Sequence, residues 1–177
     1  MKQHLHHAGC GCLPALSRRG VLGLGFASAL SAAFPALAEG KHYEAILFNC
    51  IDPRFTTLTW AYMASRGLKD QYSQFVIAGG PIGGVAPVFA DWHKTWWDNL
   101  DITVQLHSVN SVIGLTHRDC GAAEVAYGER IKTDRAFETE KHSEALRAFR
   151  AEIGKRQPKL VVETGIMELD GKVEVVT

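Results

Sequence analysis

Five residues in two short stretches offer the chemistry of this sequence. Cys50, Asp52 and Arg54 stand at alternate positions, and His117 and Cys120 close a second stretch as His-x-x-Cys. An extended chain puts residues i, i+2 and i+4 on one side, so Cys50, Asp52 and Arg54 are expected to share one wall of a site at a strand end. Two thiolates and one imidazole are a ligand set for zinc, and three protein ligands leave a fourth tetrahedral position open. Water or the Asp52 carboxylate could take that position. Two thiolates cancel the charge of the ion, so a bound water would feel a weaker field than in a three-histidine site. Activity is therefore expected to rise toward alkaline pH. A forked guanidinium can hold a carboxylate through two parallel hydrogen bonds. Arg54 would thus keep Asp52 off the metal and turn it toward the bound water. Two plainer readings stand beside this one: an ordinary ion pair at a strand end, and a Cys50–Cys120 disulfide in an oxidising compartment.

Each stretch follows an apolar run, Ala45-Ile46-Leu47-Phe48 in one case and Val112-Ile113-Gly114-Leu115 in the other. Such runs predict buried strands. Strands are expected over residues 44–49, 74–78, 110–116 and 159–165. Helices are expected over 56–67, 88–106 and 134–156, with another beginning at 121. Residues 166–169 and 172–177 read as a hairpin turned by Asp170-Gly171. Alternation of strand and helix implies an α/β domain, here a mainly parallel sheet of about four strands flanked by helices, with a C-terminal antiparallel hairpin or edge strand. Ligands bind such sheets at the carboxyl ends of the strands, where Cys50 and His117 both fall. Residues 79–84 read as a glycine-rich loop without the Gly-Lys-Ser/Thr ending of a phosphate cradle. Phe89, Trp92, Trp96 and Trp97 form an aromatic stripe that reads as core or subunit interface. His93 and His107 read as surface or satisfied core histidines. The charged residues of 134–156 read as a solvated face.

The first 38 residues have the order of an export signal. Arg18-Arg19 is a twin-arginine pair, an Ala- and Gly-rich apolar segment follows over 21–35, and Ala36-Leu37-Ala38 suits cleavage. The apolar segment is short for a membrane span, which needs about 20 strongly apolar residues, so no stable span is expected after cleavage. The domain proper is then 39–177 and periplasmic. The whole chain has 19 basic and 19 acidic residues. The signal holds three of the basic groups and no acid, which leaves a net charge of −3 and argues against nucleic-acid binding. Cys50 and Cys120 are the cysteines that remain. The twin-arginine route carries folded proteins, so a metal could be loaded in the reducing cytosol before export.

Cys50-Ile51-Asp52-Pro53-Arg54 and His117-Arg118-Asp119-Cys120-Gly121 resemble the C-x-D-x-R and H-x-x-C-G motifs of the β-class carbonic anhydrases. The resemblance extends over nearly all of the domain. It implies that Cys50, His117 and Cys120 bind zinc, that Asp52 and Arg54 form the catalytic dyad, and that the chain is a homodimer. The implied reaction is reversible hydration of carbon dioxide to bicarbonate by a metal-bound hydroxide. Alternatives on the same scaffold are hydrolysis of carbon disulfide or carbonyl sulfide, and a non-catalytic zinc-binding domain. Three departures stand out. Pro53 replaces a usual small Ser, the Arg-Asn that often precedes Ala78-Gly79 is missing, and the first strand follows the cleavage site too soon for the helices that usually wrap the partner.

Overall fold

The computed structural model describes residues 42–177. The export signal predicted over 1–38 lies outside the described residues. Five strands form one sheet: β1 (Ala45–Asn49), β2 (Tyr72–Val76), β3 (Ser111–His117), β4 (Val161–Met167) and β5 (Val173–Val175). Their spatial order is β2-β1-β3-β4-β5. The first four run parallel and β5 is antiparallel to β4. The helices are α1 (Thr56–Ser65), α2 (Pro81–Val85), α3 (Ala90–His107), α4 (Gly121–Tyr127), α5 (Arg130–Thr133) and α6 (Arg135–Arg156). This is the expected α/β class with its closing antiparallel pair. No helix among the described residues is long and apolar enough to cross a membrane.

The two faces of β1 explain its continuous apolar run. Ile46 and Phe48 pack with Trp96, Trp97 and Leu100 of α3 and Phe149 and Ile153 of α6. Ala45 and Leu47 point the other way, toward Phe55 and Met63. A strand covered on both sides needs apolar side chains at every position. Phe48 stacks on Trp96 at 3.8 Å between ring centroids. Gly114, in the neighbouring strand, makes room for α6: a Cβ there would lie 2.5 Å from Phe149 Cε1.

The sequence expectations need four corrections. The second strand lies at 72–76, not 74–78, and alternates half-buried with exposed positions because it is a sheet edge rather than a buried strand. The glycine loop at 79–84 contains α2. Glycine disfavours helix by about 1 kcal/mol per residue, yet packing overrides that preference here, since a Cβ on Gly84 would meet the Trp96 ring at 2.8 Å. The fourth strand and the first arm of the hairpin are one strand, β4. The third helix begins as a separate 3-10 turn, Pro87–Phe89, before α3. The aromatic stripe divides: Trp96 and Trp97 are core, while Trp92 is partly exposed and stacks on Phe89. His93 pairs with the Ala86 carbonyl and His107 with the Ser73 hydroxyl, as expected of satisfied histidines.

Candidate metal centre

β1 leads to β2 on one side, and the chain then returns to β3 on the other side of β1. The crevice outside the carboxyl ends of β1 and β3 is therefore where strand order reverses, the usual ligand site of an open α/β sheet. Cys50 follows β1 directly, His117 ends β3, and Cys120 is the N-cap of α4. Their ligand atoms lie within 4.8 Å of one another, and all three residues are buried. Both cysteines are free, so the disulfide reading does not describe this structure.

Each ligand atom is prepared by its surroundings. His117 Nδ1 is 2.8 Å from the Arg118 carbonyl oxygen. A carbonyl can only accept, so Nδ1 carries the proton and Nε2 presents its lone pair. Nε2 is buried without a hydrogen-bond partner among the described residues. A buried imidazole nitrogen left unpaired costs stability, and a metal ion would satisfy it. The ring stacks on Phe55 at 4.0 Å, which fixes its plane. Cys50 Sγ accepts a hydrogen bond from the Gly79 backbone N–H at 3.2 Å. The Cys120 thiol above all, and the backbone N–H groups of Asp52 and Gly79, hold the Cys50 thiol down at about 4 against the opposing effect of burial. The Cys50 thiolate and burial push the Cys120 thiol up in return. Cysteine binds a metal as the thiolate, so a divalent cation would displace the thiol protons of this pair. The donor set and its electrostatics fit a metal ion.

Asp52 and Arg54 meet as expected, but not through strand alternation. β1 ends at Asn49, and Pro53–Phe55 forms a 3-10 turn with Asp52 as its N-cap. The residue before a proline is pushed toward extended backbone, and Asp52 adopts φ −58°, ψ 119°. Its Oδ1 accepts from the Arg54 backbone N–H and from Nε, both at 3.0 Å, and its Oδ2 accepts from Nη2 at 2.7 Å. The guanidinium, above all through these hydrogen bonds, lowers the Asp52 carboxyl to about 2 and raises Arg54 above its ordinary value. Pro53 occupies the first position of the turn, where a missing N–H costs little. Asp52 stands outside the three-residue ligand group. Cys50, Ile51, Asp52, Pro53, Ala78, Gly121 and Ala122 line a mouth of about 320 Å³ that reaches the group at Cys50.

Three residues of this centre are not evident from the sequence. Arg54 Nη1 reaches Asp119 Oδ2 at 2.7 Å, and Nη2 reaches the Asp119 carbonyl at 3.0 Å. Glu138 accepts from the Asp119 backbone N–H at 2.8 Å and from Arg118 Nη1 at 3.3 Å. Arg118 is buried, and its guanidinium also reaches Glu168 and Glu174. A signal for Glu138 did exist. The apolar stripe Ala145, Leu146, Phe149, Ile153 of α6, continued one and two turns toward the N-terminus, reaches His142 and Glu138, and both are buried.

No family model matches the chain. An uncharacterized protein of Rickettsia bellii is 33% identical over 129 residues, which are 73% of this chain and 79% of that protein. A second, from Rickettsia conorii, is 31% identical over 129 residues, 73% of this chain and 69% of that protein. The chain belongs to the family of these two proteins. Solved structures similar to it include a carbonic anhydrase from Glaciozyma antarctica, with TM-score 0.48 and 18% identity over 82% of this chain and 90% of that one. Another is the β-carbonic anhydrase CafA of Aspergillus fumigatus, with TM-score 0.48 and 16% identity over 81% of this chain and 80% of that one.

Proposed function

We propose that this family member is a divergent β-class carbonic anhydrase, exported to the periplasm, that binds zinc through Cys50 Sγ, His117 Nε2 and Cys120 Sγ. The observation that carries the reading is the meeting of those three atoms beside a paired Asp52 and Arg54, at the switch point of the sheet. Zinc, when bound, supplies the Lewis acidity that makes water a nucleophile near neutral pH. The chain's own groups do the rest. Arg54 occupies both Asp52 oxygens from one side and keeps the carboxylate ionised and off the ligand group. An ionised carboxylate is an acceptor only, with about four lone-pair sites. Asp52 therefore has capacity left to accept from the O–H of a water at the mouth and so orients it. Ile51, Pro53, Ala78 and Ala122 give that mouth an apolar wall. Such a wall suits a small uncharged linear molecule and offers no cationic clamp for a large anion. A homodimer follows from the same reading.

Metal analysis of folded protein with a stopped-flow hydration assay tests the proposal. Stoichiometric zinc and hydration that rises from neutral to mildly alkaline pH are expected. Stoichiometric zinc without hydration would sink the carbon dioxide reading, and turnover of carbonyl sulfide in its place would redirect it to the hydrolase alternative.

A further inference from the structure

We propose that Asp119 is a positioning residue for the Asp52–Arg54 pair, set in place by buried Glu138; the inference rests on the carbonic anhydrase reading for its effect on turnover. A guanidinium is a planar group with five N–H donors. Arg54 presents Nε and one proton of Nη2 to Asp52. Its opposite edge, Nη1 and the other side of Nη2, faces the Asp119 carboxylate at 2.7 Å and the Asp119 carbonyl at 3.0 Å. One carboxylate alone would leave the guanidinium free to swing with its flexible stem. Two carboxylates on opposite edges fix its plane, and Asp52 inherits that orientation.

Asp119 is in the left-handed region, with φ 55°. That conformation is uncommon outside glycine, with Asp and Asn among the residues that tolerate it best. It is held from behind. Glu138 Oε1 accepts the Asp119 N–H, and Glu138 Oε2 pairs with Arg118. The two residues between the ligands His117 and Cys120 are therefore anchored to α6. The same turn that presents the ligands presents the second carboxylate to Arg54.

The test uses zinc-loaded protein and two substitutions. D119G removes the carboxylate and relaxes the backbone, because glycine is at ease at positive φ. D119N keeps the backbone conformation and an acceptor oxygen but removes the charge. Partners behind a metal ligand set commonly change activity by about 10- to 100-fold when removed. D119G is expected to lower kcat about tenfold with KM and zinc content unchanged, and D119N to recover part of the loss. A readout independent of turnover is the nitrogen NMR of Arg54. Its two Nη resonances are expected to be separate in the unsubstituted protein, where rotation is blocked from both edges, and to merge in D119G. Separate Nη resonances in D119G, or full kcat, would overturn the proposal. Loss of zinc in both variants would overturn it too, because it assigns Asp119 to ligand geometry. If the unsubstituted protein hydrates no carbon dioxide, the functional reading alone falls, and the Arg54 resonances still decide the positioning. Should D119G fail to fold, the same resonances in D119N decide it, with their partial merging expected.

Discussion

Replacing Arg118 with methionine would show whether burial or distance ranks the ion pairs behind the candidate metal centre. The Arg118 side chain is 4% exposed and meets Glu174 at 2.7 Å, Glu168 at 3.2 Å and Glu138 at 3.3 Å. Distance alone makes Glu174 the strongest partner. Its side chain, however, is 50% exposed, against 9% for Glu138. Coulomb attraction across 2.7 Å in water is about 1.5 kcal/mol before screening, and exposed pairs measure about 0.2–1 kcal/mol. Across 3.3 Å at an effective dielectric near 20 it is about 5 kcal/mol, most of it offset by desolvation of both groups. The net value of the pair is therefore small, but breaking it from one side is not. Arg118→Met keeps an apolar stem and leaves the Glu138 carboxylate buried without its cation, which costs about 3–5 kcal/mol. Urea unfolding of metal-loaded protein at fixed free zinc should show a loss of about 3 kcal/mol. A second substitution, Glu138→Gln, should restore most of that loss, while Glu174→Gln alone should cost under about 1 kcal/mol. In a double-mutant cycle, Arg118 should couple to Glu138 by at least about 2 kcal/mol and to Glu174 by less than about 1 kcal/mol. An Arg118→Met loss under about 1 kcal/mol, or stronger coupling to Glu174 than to Glu138, would refute the ranking by burial.

Three further outcomes are expected. Cys50→Ser and His117→Ala should each lose metal and thermal stability together, because metal binding and folding are coupled; metal analysis and melting curves check this, and a variant that kept full zinc would remove that residue from the ligand set. Asp52→Asn should retain zinc and lose hydration, so a full rate in Asp52→Asn would end its assigned role. His142 of α6 is buried with neither ring nitrogen paired among the described residues, and burial, then the Arg118 charge, lowers it to about 3. The unfolded chain therefore takes up this proton first. Its contribution to stability is unchanged above about pH 6.5 and is lost as pH falls from there toward 3, by about 2.7 kcal/mol near pH 4.5. His142→Leu should flatten that part of the stability–pH curve, and an unchanged slope would count against the neutral buried imidazole.

Some of this protein could be read locally, because local rules decided it. Asp134 starts α6 through its own side chain, which accepts from the Phe137 N–H at 3.0 Å, so the long helix was legible to within a residue. Gly67, at φ +75°, lies just past the end of α1, the position where glycine commonly closes a helix. The buried runs of β1 and β3 marked strands covered on both faces. Ligand-type side chains at their carboxyl ends marked the crevice.

Other features depend on neighbours that are remote along the chain. Glycines at 83 and 84 argue against a helix until Trp96 is seen packed against that backbone. The residues of β2 look fit for a core strand, and only the strand order makes β2 an edge. Glu138 looks like one more charged residue on a solvated helix, and only the approach of Arg118 and the Asp119 N–H makes a buried carboxylate tolerable there. Residue types and spacing by themselves marked Cys50, His117 and Cys120, which do meet in the structure, and the strands β1 and β3 that lead to them, because a strand end and a ligand type are properties of a few adjacent residues. Tertiary structure alone decided that Arg54 is held by two carboxylates rather than one, because its second partner lies 65 positions away and meets it only when β1 and β3 stand side by side.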